Sequence, residues 1–121
     1  MNILVTGGAG FIGSNFLNLM VPRHPEHRFI NVDKLTYAAN LENLVGIANR
    51  DNYRLERVDI ADAEATSDLF ERTRPQMVVH FAAESHVDRS IHSPETFIQT
   101  NINGTFHLLE AFRALPKGHA Q

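Results

Sequence analysis

No cysteine occurs among the 121 residues. That absence removes disulfides, thiolate zinc sites and thiol nucleophiles before any motif is considered. Basic charge is also scarce. Eleven Lys and Arg stand against fourteen Asp and Glu, a net charge of −3 with His neutral, and no stretch carries the run of cations that neutralises nucleic-acid phosphates. Neither a nucleic acid nor a membrane is an expected partner. Apolar runs extend only a few residues, far below the roughly 20 needed to span a bilayer, and the N-terminus has no basic segment leading into an apolar one. The cytoplasm is the expected compartment. What remains, 43% hydrophobic and 21% charged residues, suits one compact domain that buries about two-thirds of its unfolded surface.

The apolar residues fall into short segments. Asn2 to Thr6 is a run of Ile, Leu, Val and Thr closed by Gly7-Gly8, which predicts a fully buried strand. Phe11 to Val21 predicts a helix, with Ile12, Phe16, Leu19 and Met20 at three- and four-residue spacing and Pro22 as its stop. Arg28 to Val32 is the second predicted strand, Asn40 caps a short helix over Leu41 to Ala48, Tyr53 to Val58 is the third strand, and Asp62 caps a helix ending before Pro75. Met77 to Phe81 is the fourth strand. Ser93 and Pro94, an N-cap followed by proline at the first helical position, open the longest helix, from about Glu95 to Leu115. Strict alternation of buried strands with helices is the pattern of a parallel sheet with right-handed crossovers. The expected class is therefore α/β, a Rossmann-like doubly wound sheet that stops after about four strands.

Gly7, Gly10 and Gly13 follow the first strand directly and open the first helix. One glycine permits the tight turn, one lets backbone approach a diphosphate, and one lets the helix pack close to the strand. The helix N-terminus offers N–H groups and partial positive charge to the phosphates. Asp33 ends the second strand twenty positions after Gly13. Its carboxylate can accept from the ribose hydroxyls of an adenosine and would repel a 2′-phosphate, which favours NAD over NADP. Lys34 beside it is either a cation that softens that repulsion or a solvated loop charge. Of the seven His, His80, His86 and His92 lie on or near one loop, but their spacing matches neither common zinc pattern, and no metal is expected.

Four segments, Thr6-Gly-Gly-Ala-Gly-Phe-Ile-Gly-Ser14, Asp33-Lys-Leu-Thr-Tyr-Ala38, Val58-Asp-Ile60 and His80-Phe-Ala-Ala-Glu-Ser-His-Val-Asp-Arg-Ser90, together resemble the dTDP-glucose 4,6-dehydratases, which are extended short-chain dehydrogenase/reductases. The first is shared across that superfamily; the second and fourth are narrower. The resemblance implies NAD as cofactor and dTDP-glucose as substrate. It implies that Phe11 and Ile12 lie at the diphosphate through their backbone, that Asp33, Lys34, Leu35 and Thr36 surround the ribose, and that Asp59 and Ile60 read the adenine edge. Phe81, Ala82, Ala83, Glu84 and Ser85 would line the cofactor at the fourth strand, with Ser85 also touching substrate and Thr100 reaching the cofactor from the long helix. Taken without the family, Asp59 is a strand-end turn former and Ser85 an ordinary loop serine. Ala39 stands where the family usually has Gly.

The superfamily's chemistry rests on a Tyr-x-x-x-Lys pair, and the dehydratases add a Thr-Asp-Glu run. Here Tyr37 and Tyr53 are followed four positions later by Leu41 and Arg57, and no Thr-Asp-Glu occurs. No catalytic residue is therefore expected in this chain. The expectation is an N-terminal NAD-binding domain over residues 1–121, without the substrate domain and inactive alone; the alternative is a non-catalytic NAD-binding or assembly module. The apolar residues of helix 95–115 cover more than one stripe, so a homodimer or self-association through it is also expected.

Overall fold

The computed structural model describes residues 1–34, 41–81 and 104–115. Four strands, β1 (Asn2–Thr6), β2 (Arg28–Val32), β3 (Tyr53–Glu56) and β4 (Met77–His80), form one sheet in the order β3-β2-β1-β4. All three pairings are parallel. Among the described residues three α-helices accompany them: α1 (Phe11–Arg23), α2 (Ala63–Thr73) and α3 (Thr105–Arg113).

Alternation along the central strands divides the core in two. Ile3, Val5 and Phe29 point to one face, where Leu17 and Val21 of α1 meet them with Leu44 and Ile47. Leu4, Ile30 and Val32 point to the other, against Ile60, Leu69 and Phe70 of the α2 region and Leu108 of α3. Both faces are covered, which is why these strands read as continuous apolar runs. The Phe70 and Phe112 rings meet edge-on at 6.3 Å and join α2 to α3.

Several boundaries differ from the sequence expectation, each for a local reason. The helix α1 continues through Pro22 to Arg23, because a proline in the final turn forfeits a single hydrogen bond while the His24 N–H still reaches the Met20 carbonyl at 3.0 Å. Its buried stripe is Gly13, Ser14, Leu17 and Val21, not the set led by Ile12 and Leu19, which are 66% and 50% exposed. Gly13 sets this rotation, since it must face the first turn's backbone. Only Leu41–Leu44 forms a 3-10 turn where a longer helix was expected; Gly46, two residues on, disfavours propagation. The strand β3 stops at Glu56 because β2 stops at Val32, its last partner. The helix α2 matches its reading closely. Asp62 accepts from the Ala65 N–H at 3.1 Å, and Arg74, at φ 48°, closes the helix before Pro75. The Ser93-Pro94 cap and the first half of the predicted long helix lie outside the described residues.

Candidate functional site

The order β3-β2-β1-β4 puts a change of winding direction between β1 and β4, and ligands of open α/β sheets bind at the carboxyl ends of the strands beside such a point. The glycine turn stands there. Gly7 has φ 72°, a left-handed conformation that favours glycine, and its N–H donates to the Val32 carbonyl at 2.9 Å. A Cβ at Gly13 would lie 2.3 Å from the Gly7 carbonyl oxygen and 2.8 Å from the Gly8 Cα. Among the described residues, a Cβ at Gly10 would meet only the Gly7 oxygen, at 3.4 Å. The three glycines thus stand in three different environments.

The first backbone bond of α1 runs from Ser14 N–H to the Gly10 carbonyl at 2.9 Å. Gly10 supplies no side-chain cap, and no acidic residue occupies the first turn. Among the described residues no carboxylate caps this end of α1, where the N–H groups of Phe11, Ile12 and Gly13 and the positive end of the helix lie. The side chains of Phe11 and Ile12 are exposed beside it.

Asp33 comes to this turn through its side chain. Its Oδ2 accepts from the Ala9 N–H at 3.1 Å, and its own N–H donates to the Glu56 carbonyl at 3.1 Å. The carboxylate therefore sits between β2 and the glycine turn, with Lys34 next in the chain. On the other side of β1, the Phe81 N–H donates to both the Thr6 carbonyl (2.9 Å) and Thr6 Oγ1 (3.1 Å).

Asp59 and Ile60 follow β3 and lead into α2. Asp59 Oδ1 accepts from the Ala61 N–H at 2.9 Å, a local turn that occupies one carboxylate oxygen. Ile60 is 4% exposed and belongs to the core. Its carbonyl is engaged by Thr66 Oγ1 at 3.3 Å and His107 Nδ1 at 2.9 Å, so its N–H is what Ile60 can offer a ligand. Leu35, Thr36, Ala82, Ala83, Glu84, Ser85 and Thr100 lie outside the described residues.

Three supporting residues escaped the sequence reading. A Cβ at Gly8 would come 2.2 Å from Asn31 Oδ1 and 2.5 Å from Leu17 Cδ1, so a larger residue there would have to displace these two buried side chains. Asn31 is fully buried under the turn; its Nδ2 donates to the Tyr53 hydroxyl at 3.1 Å, and its Oδ1 has no hydrogen-bond partner among the described residues. Burial raises the Tyr53 pKa above 10.0, which keeps that hydroxyl neutral. His80 lies at the exposed sheet edge, yet its Nδ1 is 2.6 Å from Thr6 Oγ1 and its Nε2 is 2.9 Å from Thr105 Oγ1. Desolvation pulls its pKa below 6.5, so the neutral ring links β1, β4 and α3. The Gly7-Gly8 pair was the one available signal; the two polar bridges depend on pairings far apart in sequence.

Residues 4–120 match the family model described as GDP-mannose 4,6 dehydratase. The chain belongs to the GDP-mannose 4,6 dehydratase family. Within reach of this family, the chain is 56% identical over 112 residues to a dTDP-glucose 4,6-dehydratase of Neisseria meningitidis, covering 93% of this chain and 31% of that protein. Among solved structures, a dTDP-glucose 4,6-dehydratase from Bacillus anthracis in complex with NAD superimposes with a TM-score of 0.81 at 40% identity, covering 93% of this chain and 33% of the other. A UDP-glucose 4-epimerase from Thermus thermophilus in complex with NAD gives a TM-score of 0.78 at 34% identity, covering 93% and 34%. The chain thus spans about a third of the length of the relatives it matches. Among the described residues no helix is long and apolar enough to cross a membrane.

Proposed function

We propose that this chain is the NAD-binding portion of a dTDP-glucose 4,6-dehydratase, the enzyme that converts dTDP-glucose to dTDP-4-keto-6-deoxyglucose and water in deoxysugar biosynthesis. The observation that carries the reading is the flank of Gly10, open among the described residues, beside the N-terminus of α1 and the Asp33 carboxylate. Gly7 and Gly13 hold the turn's shape; Gly10, Phe11 and Ile12 receive the diphosphate through backbone; Asp33 and Lys34, with Leu35 and Thr36, take the adenosine ribose. Asp59 offers its second carboxylate oxygen, and Ile60 its N–H, to the adenine edge. Phe81, Ala82, Ala83, Glu84, Ser85 and Thr100 complete the lining, Ser85 also meeting the sugar nucleotide. NAD, when bound, supplies the acceptor and later the donor of a hydride. The chain's own residues bind and orient it; neither Tyr37 nor Tyr53 is followed by Lys at the fourth position, and neither is assigned a proton transfer at the sugar.

Calorimetric titration with NAD and, in parallel, NADP tests the reading. Saturable binding that prefers NAD is expected, and no dTDP-4-keto-6-deoxyglucose is expected from the chain alone. Absence of binding to either dinucleotide overturns the proposal that these residues form a working half-site; turnover by the chain alone overturns its incompleteness. Self-association through the segment 95–115 belongs to the same proposal and is supported by Phe106 and Leu109, which are 58% and 65% exposed on α3. Sedimentation showing a monomer at all concentrations refutes it.

A further inference from the structure

The turn between α1 and β2 carries chemistry that the glycine turn does not use. Its four residues are His24-Pro25-Glu26-His27, and the His27 N–H closes on the His24 carbonyl at 3.0 Å. Pro25 restricts the backbone between them. The two imidazoles stack with centroids 5.7 Å apart and planes at 27°. Both rings present a nitrogen to the same carboxylate oxygen: His24 Nδ1 lies 3.3 Å, and His27 Nε2 3.4 Å, from Glu26 Oε2. The three atoms all lie within 4.8 Å of one another. The remaining nitrogen of His27, Nδ1, is 3.1 Å from the Met1 amino group, which donates to it, so an ion at Nε2 would take the place of the ring proton there.

We propose that His24 Nδ1, Glu26 Oε2 and His27 Nε2 form a binding site for a divalent transition-metal ion of the zinc type. A tetrahedral ion with bonds of about 2.0–2.1 Å holds its ligand atoms about 3.3–3.4 Å apart. Two of the three edges of the cluster already have that length. Two imidazoles and a carboxylate suit zinc and its neighbours in the first row, whereas magnesium and calcium seek six or more oxygens. Glu26 is 59% exposed, which leaves the remaining coordination position to water. The spacing argument that sets metal aside concerns His80, His86 and His92 and does not extend to this turn.

The cluster stands at the opposite end of α1 from the glycine turn, about 20 Å away for a helix of this length. A metal ion there would clamp the end of α1 to the start of β2 and act on stability, not on the cofactor. The test is titration of the purified, tag-free chain with Zn2+, followed by calorimetry and thermal unfolding, and with Co2+, followed by visible absorption. One equivalent should saturate the signal, raise Tm and give the intense visible bands of tetrahedral cobalt. His24→Gln and His27→Gln should each weaken binding at least about tenfold, the scale that even outer partners of a metal command; Glu26→Gln, which retains both rings, should weaken it as well. Lack of saturable binding by the unaltered chain, or binding unchanged in all three variants, overturns the site.

Discussion

Alanine at Gly13 and alanine at Gly10 are the same chemical change three residues apart, and the structure assigns them opposite consequences. At Gly13 the added Cβ lies 2.3 Å from the Gly7 oxygen, 2.8 Å from the Gly8 Cα and 2.9 Å from the Gly7 carbonyl carbon. These are backbone atoms, so relief requires the turn to move by about 1 Å. Overpacking of this kind costs about 2–3 kcal/mol, offset by about 1 kcal/mol because alanine is the better helix former. The expected net loss is about 1–2 kcal/mol, or roughly 5 °C in Tm for a domain of this size. At Gly10 the φ of −77° and ψ of 177° suit alanine, and the one contact is ordinary. Stability should fall by no more than about 0.5–1 kcal/mol, the range for losing a favourable N-cap residue. NAD affinity should instead drop at least about tenfold, or about 1.4 kcal/mol, because the methyl occupies the path of the diphosphate. Urea unfolding and calorimetric NAD titration of both variants decide the matter. A Gly13→Ala chain as stable as the parent refutes the close approach, and a Gly10→Ala chain with unchanged NAD affinity refutes the route over Gly10.

Replacing Asp33 by Asn retains an acceptor for the Ala9 N–H but removes the charge, so the preference for NAD over NADP should shrink roughly tenfold in paired titrations while Tm stays nearly constant. An undiminished preference would clear Asp33 of that role. His80 has a pKa lowered in the fold, so its contribution to stability is complete above about pH 6.5 and is lost as pH falls through the lowered value. The gap in Tm between the parent and His80→Gln should accordingly be widest at pH 7–8 and narrow toward pH 5; a gap independent of pH contradicts the assignment. Asp62→Ala removes the cap on Ala65 and should cost about 1 kcal/mol in denaturant unfolding, with Asp62→Asn within a few tenths of the parent.

What could be read from sequence was whatever local chemistry decides. Asp62 before a helix and Pro75 after it act through neighbours within four residues, and both stand where the pattern places them. The strand and helix order of the Rossmann-like sheet was legible for the same reason, since each strand is a short apolar run ended by its own turn. The orientation of α1 was not, because periodicity offers Ile12 and Leu19 as readily as Leu17 and Val21, and the choice is made by Gly13 against Gly7. Strand ends were misjudged where a partner ran out, as Arg57 and Val58 lie beyond the last residue of β2. The glycines and Asp33 of the candidate site were legible as a motif. The hold of Asn31 beneath Gly8, and of His80 between Thr6 and Thr105, depends on segments that meet only in three dimensions.

The position of β1 between β2 and β4 also imposes an order of assembly. Asn2 and Arg28, the first partners of β1 and β2, are separated by 26 residues, whereas Ile3 must wait for Met77, 74 residues away. Closing the longer loop costs only about 0.9 kcal/mol more in chain entropy. In a chain emerging from a ribosome, however, the near side of the sheet can form while the far side does not yet exist. Thr6 and the glycine turn therefore spend part of synthesis as the exposed margin of an unfinished sheet, and β4 is the strand that converts that margin into the wall of a cleft.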